Sequence, residues 1–285
     1  MDALLQFLDQ VPEYTKLRTA LEQGGNVVSL YGMAPVHRAH FAAALLRDFP
    51  ARHFCVLFRD EPAARAFSGD LENLTGEPPA VLPCRDFIFH PMEGASREYE
   101  QQRLSALQAI RTGKSRVLCA PADSMMLRTM PPEMLEQATI TLRDDGVYDV
   151  QEICARLISA GYTRDNQVEG PGQFALRGGI LDVFPSGAQQ PIRAEFFGDE
   201  IDSLGVFDPM TQRRSRAVSE AVLLPTREAL PHLAPGGIPG LFAALEKQKS
   251  RKSCSEILRQ TLTEDQDRLK NEGLFAAADR YLPLI

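Results

Sequence analysis

Two hydrophobic patterns divide the chain. From residue 1 to about 135, short apolar runs alternate with helix-forming stretches. Asn26–Tyr31 predicts a buried strand that ends at Gly32. The Ala- and Leu-rich stretch Val36–Asp48 predicts a helix, and His53–Phe58 the next strand. Glu61–Leu74 predicts a helix stopped at Gly76, Ala80–Leu82 a short strand, Tyr99–Arg111 a helix and Arg116–Ala120 another strand. Alternation of this kind predicts a parallel sheet covered by helices, an α/β arrangement.

Near Pro131-Pro132 the pattern changes. A strand from Ala138 is followed by a helix over Asp149–Ala160, stopped by Gly161, with Val150, Ile153, Cys154, Leu157 and Ile158 on one apolar face. Strands with a period of two follow. Phe174 and Leu176 share one side, and Gln173, Ala175 and Arg177 the other. In the next strand Ile192, Ala194 and Phe196 point one way, and Arg193, Glu195 and Phe197 the other. Gly178-Gly179 and Gly198-Asp199-Glu200 are turns, and Ile201–Asp208 is the return strand. The second face carries a large aromatic, Phe197, beside charges. Such a residue either packs beneath a neighbouring loop or anchors a partner. The predicted organisation is a parallel-sheet domain over 1–135, an inserted α+β domain over 136–224, and a truncated return segment of the first domain over 225–285. The closing run Tyr281–Ile285 is apolar and reads as a chain cut within a larger protein, or as a terminal strand docked on the core.

The whole chain, 285 residues with a net charge of −7, is not a bulk basic nucleic-acid module. The 136–224 segment has eight arginines and no lysine, and its acids outnumber them. Its arginines therefore favour a specific protein contact over phosphate binding. Five scattered cysteines without a CxxC pair predict reduced thiols in a cytoplasmic protein. There is no signal-peptide pattern and no apolar run of membrane-spanning length.

The strand ending at Gly32 invites a phosphate-loop reading. Such a loop needs consecutive backbone N–H groups, a second glycine, a lysine and a magnesium-binding hydroxyl. In that frame His37 stands for the glycine, Arg38 for the lysine and Ala39 for the hydroxyl, and Pro35 removes an N–H. This is a degenerate nucleotide fold, not expected to bind. Asp60 or Glu61 caps the following helix rather than holding magnesium. His37 and His40 lack a third metal ligand, and Cys84, Asp86, His90 and Glu93 lack any signature that would make a nucleophile of Cys84. Lys247, Lys249, Arg251 and Lys252 read as a solvated helix face. No catalytic residue and no metal site are expected.

The run Gln173–Pro185, its continuation Arg193–Pro209, and the later Met210-Thr211-Gln212-Arg213 and Leu223-Leu224-Pro225 resemble the second domain of the bacterial transcription-repair coupling factors (Mfd). Arg103–Leu107 fits the same family, and the excision-repair protein UvrB carries a similar run. The resemblance implies a UvrB-homology region: a degenerate RecA-like domain with an inserted module that binds UvrA. It places the UvrA contact on Arg177, Arg193 and Phe197, with Glu195 and Asp199 at the rim. It implies recruitment of UvrA to RNA polymerase stalled at DNA damage, by binding and without catalysis. RNA polymerase, DNA, ATP and magnesium would belong to further parts of the full-length translocase, in which the UvrA face could also be masked. An active ATPase or helicase domain of the UvrB type is the alternative.

Overall fold

The computed structural model describes residues 2–24, 27–85, 97–275 and 277–285. They form two compact units, 1–84 with 106–127, and 85–105 with 128–285. Helices and strands are mixed, as the pattern requires.

The first unit carries helices Asp2–Gln6 (α1), Pro12–Gln23 (α2) and Pro35–Asp48 (α3), strand Phe54–Phe58 (β1), helix Glu61–Thr75 (α4) and strand Ala80–Val81 (β2). Helix Glu98–Arg111 (α5) crosses the division between the units; strand Val117–Pro121 (β3) and helix Ala122–Met126 (α6) follow. β3 is central, parallel to both β1 and β2. Local chemistry sets the helix ends. The Asp60 carboxylate accepts from the Ala63 N–H at 2.9 Å and caps α4. Gly76, at φ 75°, closes it in the left-handed conformation. Ala43 and Ala44 of α3, Ala64 and Leu71 of α4, and Val117 and Cys119 of β3 share one core.

The buried strand expected at 26–31 is not formed in the described residues. Residues 27–31 are outside any strand, and Val27 and Tyr31 are 98% and 90% exposed. Among the described residues β1 therefore stays an edge strand, paired with β3 on one side.

The second unit continues with helix Pro132–Ala138 (α7), strand Ile140–Arg143 (β4) and helix Val150–Ser159 (α8). Strands Thr163–Arg164 (β5), Gln173–Arg177 (β6), Ile180–Val183 (β7), Ile192–Phe197 (β8), Glu200–Phe207 (β9) and Arg214–Ala217 (β10) build a sheet in the order β10-β9-β8-β7-β6-β5. Only the β5/β6 pair is parallel. Strand Glu220–Leu223 (β11) returns to pair with β4. Asp149 caps α8 by accepting from the Gln151 N–H at 2.7 Å. Ile153, Cys154 and Leu157 then pack on Phe174, Leu181, Ala194 and Leu204. The apolar stripe is narrower than expected. It is centred on fully buried Leu157, and Ile158, a further 100° round the helix, is 54% exposed. The opposite face of the sheet has a small cluster of its own: Val168, Ala175, Phe184 and Phe207.

Helices Gly237–Lys249 (α9) and Glu256–Glu272 (α10) follow in the same unit. The closing run docks on the core, but not as a strand. It is a 3-10 turn over Ala278–Leu284 with Tyr281 and Leu282 buried against Leu241, Leu245, Leu262 and Leu269. Buried Asp265 anchors it, accepting from Tyr281 Oη at 2.5 Å and pairing with Arg268 and Arg280.

Candidate protein-binding site

The sheet face opposite α8 brings the sequence-selected residues together. Register puts Asp182 of β7 opposite both Ala175 of β6 and Arg193 of β8, and Arg193 opposite Gly205 of β9. Glu195 faces Ile180 on one side and Ser203 on the other, and Phe197 faces Glu200. A bulge between Glu195 and Phe196 absorbs one residue of β9 and leaves the β8 alternation intact. Phe196 packs on the core, while Phe197 stands out from the other face, 83% exposed. Among the described residues no loop covers it.

Within the chain the two arginines share one partner. Both turn to Asp182, which is buried to 1% exposure. Arg193 donates from Nε and Nη2 to the two carboxylate oxygens at 2.7 and 2.9 Å, and Arg177 Nη2 adds a third bond at 2.6 Å. Arg193 also donates to the Gln212 main-chain oxygen and side-chain amide at 3.2 and 3.0 Å, and stacks 4.3 Å over the Phe207 ring. The hydrogen bonds with Asp182 outweigh the opposing burial and push the guanidinium pKa up. Arg193 is therefore first a strut of the sheet; Arg177 keeps an exposed flank. The loop that supplies Gln212 is built for the task. Asp208 accepts from the Met210 and Thr211 N–H groups, and Gln212 sits at φ 58° with its own N–H bonded to Asp208 at 2.7 Å.

Around Phe197 the charge is negative. Glu195, Asp199 and Glu200 enter no ion pair among the described residues. The neighbouring turn places Val147 in an isolated bridge with Glu200. The sequence pattern did not single out Asp182, Gln212 or Val147. For Asp182 a signal existed: an acid in the middle of an otherwise apolar four-residue strand.

The other selected groups do not converge. Gly32 has φ 79° but begins no strand-anchored loop; His37 and Arg38 are exposed, and Ala39 is fully buried. His40 Nε2 is bonded to the Leu4 carbonyl. Asp86, His90 and Glu93 lie outside the described residues. Lys249 is tied to Glu246 and Gln266. Cys55, Cys119, Cys154 and Cys254 are free thiols. Among the described residues no group of three His, Cys, Asp or Glu side chains could hold a metal, and no helix is long and apolar enough to cross a membrane.

Residues 140–228, which contain this whole face, match the family described as the UvrB interaction domain. The chain is also similar to transcription-repair-coupling factors. It is 26% identical to that of Bacillus subtilis (strain 168) over 280 residues, 96% of this chain and 24% of the relative. It is 38% identical to that of Escherichia coli (strain K12) over 191 residues, 65% of this chain and 16% of the relative. With the Myxococcus xanthus protein it shares 29% identity over 216 residues. The chain spans a quarter or less of the length of these relatives. Residue motifs, domain match and relatives agree: the chain resembles the amino-terminal UvrB-homology region of the bacterial transcription-repair coupling factors.

Proposed function

We propose that this chain is a docking module that recruits UvrA in transcription-coupled excision repair, acting by binding and not by catalysis. The observation that carries the reading is Phe197. It is a large aromatic, 83% exposed, on a fixed strand inside the segment that matches the UvrB interaction domain. A rigid aromatic held in water adds little to folding but offers a partner a large preorganised contact, and such residues dominate interface energetics. Arg177, Glu195 and Asp199 surround it as rim contacts, and Arg193 supports the face from beneath.

In the same reading the first unit is a degenerate RecA-like fold that binds no ATP. Support comes from Ala39, which is buried where a phosphate loop presents a hydroxyl, and from Pro35, which lacks the N–H such a loop uses. ATP and magnesium, together with contacts to RNA polymerase and DNA, belong to other parts of a full-length cytoplasmic translocase.

Calorimetric titration of the chain against UvrA tests the proposal, with Phe197→Ala as the paired variant. Saturable binding weakened about 30-fold or more in the variant is expected. No binding by the folded chain, or equal binding by both forms, would overturn it. Equilibrium dialysis with ATP and magnesium tests the second part, and saturable uptake would restore the ATPase alternative.

A further inference from the structure

Val147 is 73% exposed, yet it does not belong to a loose loop. The Tyr148 N–H donates to the Asp199 carbonyl at 2.7 Å, and the Ile201 N–H donates to the Gly146 carbonyl at 3.0 Å. The Tyr148 hydroxyl accepts from the Arg143 N–H at 3.0 Å, and its ring packs on the core. The turn is thus pinned on both sides, with Val147 left pointing away.

Its position matters because of register. Val147 bridges Glu200, and Glu200 pairs with Phe197. Directly opposed residues of antiparallel neighbours share a face, with Cα atoms about 5 Å apart. Val147, Glu200 and Phe197 therefore form one row, and the two apolar side chains stand roughly 10 Å apart by the same spacing. Two fixed apolar groups at that separation lose little conformational freedom on docking. The carboxylates of Glu195, Asp199 and Glu200 border them without an ion-paired partner among the described residues, whereas Arg177 and Arg193 are drawn towards Asp182.

We propose that Val147 is a second apolar anchor of the UvrA-facing surface, and that this surface fits a partner patch in which an apolar pocket is rimmed by lysine or arginine. The inference rests on the UvrA reading and adds to it a residue from a separate chain segment and the sign of the partner's charge.

The test is the same titration with Val147→Ala and Glu200→Lys, each checked for an unchanged melting curve, and with Val222→Ala as an exposed valine elsewhere. Val147→Ala is expected to weaken binding about fivefold or more, and Glu200→Lys about tenfold or more with a flatter salt dependence. Val222→Ala is expected to bind like the parent. If Phe197→Ala weakens binding but Val147→Ala does not, the second anchor is wrong and the UvrA reading stands. Tighter binding by Glu200→Lys overturns the basic-rim assignment. If the parent chain does not bind UvrA, both readings fall together.

Discussion

Arg193 holds Asp182 through both carboxylate oxygens, across the β7–β8 register, while stacking on Phe207. This couples the candidate interface to the stability of the sheet. A carboxylate at 1% exposure is tolerated only while its charge is matched. Arg193→Ala is predicted to destabilise the second unit by about 3 kcal/mol. Arg177→Ala removes one bond from a side chain that is partly in water, and is predicted to cost about 1 kcal/mol. Phe197→Ala should stay within about 0.5 kcal/mol of the parent. Urea denaturation of the three variants checks the order. Comparable losses for Arg193→Ala and Phe197→Ala would refute the division between strut and anchor.

Gly205 lies opposite Arg193, and its missing side chain makes room for β10. A Cβ there would meet the Arg216 main-chain oxygen at 2.7 Å and collide with the Arg214 guanidinium. The arginine can swing away, but the strand oxygen cannot. Gly205→Ala is predicted to cost about 2 kcal/mol and to raise amide exchange in Arg214–Ala217. Protection equal to that of the parent in that strand would show that β10 is not held by this approach.

Sequence made the local features legible because their causes are local. The Asp60 cap, the start of α8 at Asp149, the stop at Gly76, and the inward and outward sides of β8 all follow from neighbours a few residues away. Phe197 was found for the same reason, since period-two alternation is enough to expose it. Asp182 serves two arginines and Val147 stands beside Phe197 only through strand register, which no single segment contains. Residues 27–31 show the converse. Their apolar composition fits a strand, but strand pairing depends on context as well as composition, and here the outer edge of β1 is left open by the described residues.

Glu228 is another buried carboxylate held by two guanidinium groups. It is fully buried, receives Arg103 Nε at 2.5 Å and Arg85 Nη2, and its N–H donates to Glu100 at 2.7 Å. Removing the acid leaves cationic groups in a dry environment. Glu228→Ala is predicted to destabilise the second unit by about 4 kcal/mol, whereas Glu246→Ala, whose carboxylate stands in water beside Lys249, should melt like the parent. Thermal melts of both variants test the contrast.

Acid sensitivity should come in part from Asp48 in the first unit. Burial alone would raise the pKa of its carboxyl. The hydrogen bonds from Arg47 Nε and Tyr14 Oη, both at 2.7 Å, with the Arg47 and Arg18 charges, outweigh burial and hold the pKa below its ordinary value. The unfolded chain therefore takes up a proton at Asp48 before the folded one does. The stabilisation is complete above the ordinary carboxylate pKa and is lost as pH falls below about 4, through the depressed folded value. Asp48→Asn is predicted to lower stability at pH 7 by about 1–2 kcal/mol, and the gap between variant and parent should narrow as the pH is taken from 5 to 3. The same substitution leaves the Tyr14 hydroxyl with a neutral partner, so the tyrosine, whose ionisation burial and Asp48 now push upward, should ionise at a lower pH. Denaturant titrations across that range give the first result and ultraviolet titration of tyrosine the second. A gap that persists unchanged to pH 3 would mean that packing at Asp48, and not its charge, stabilises the fold.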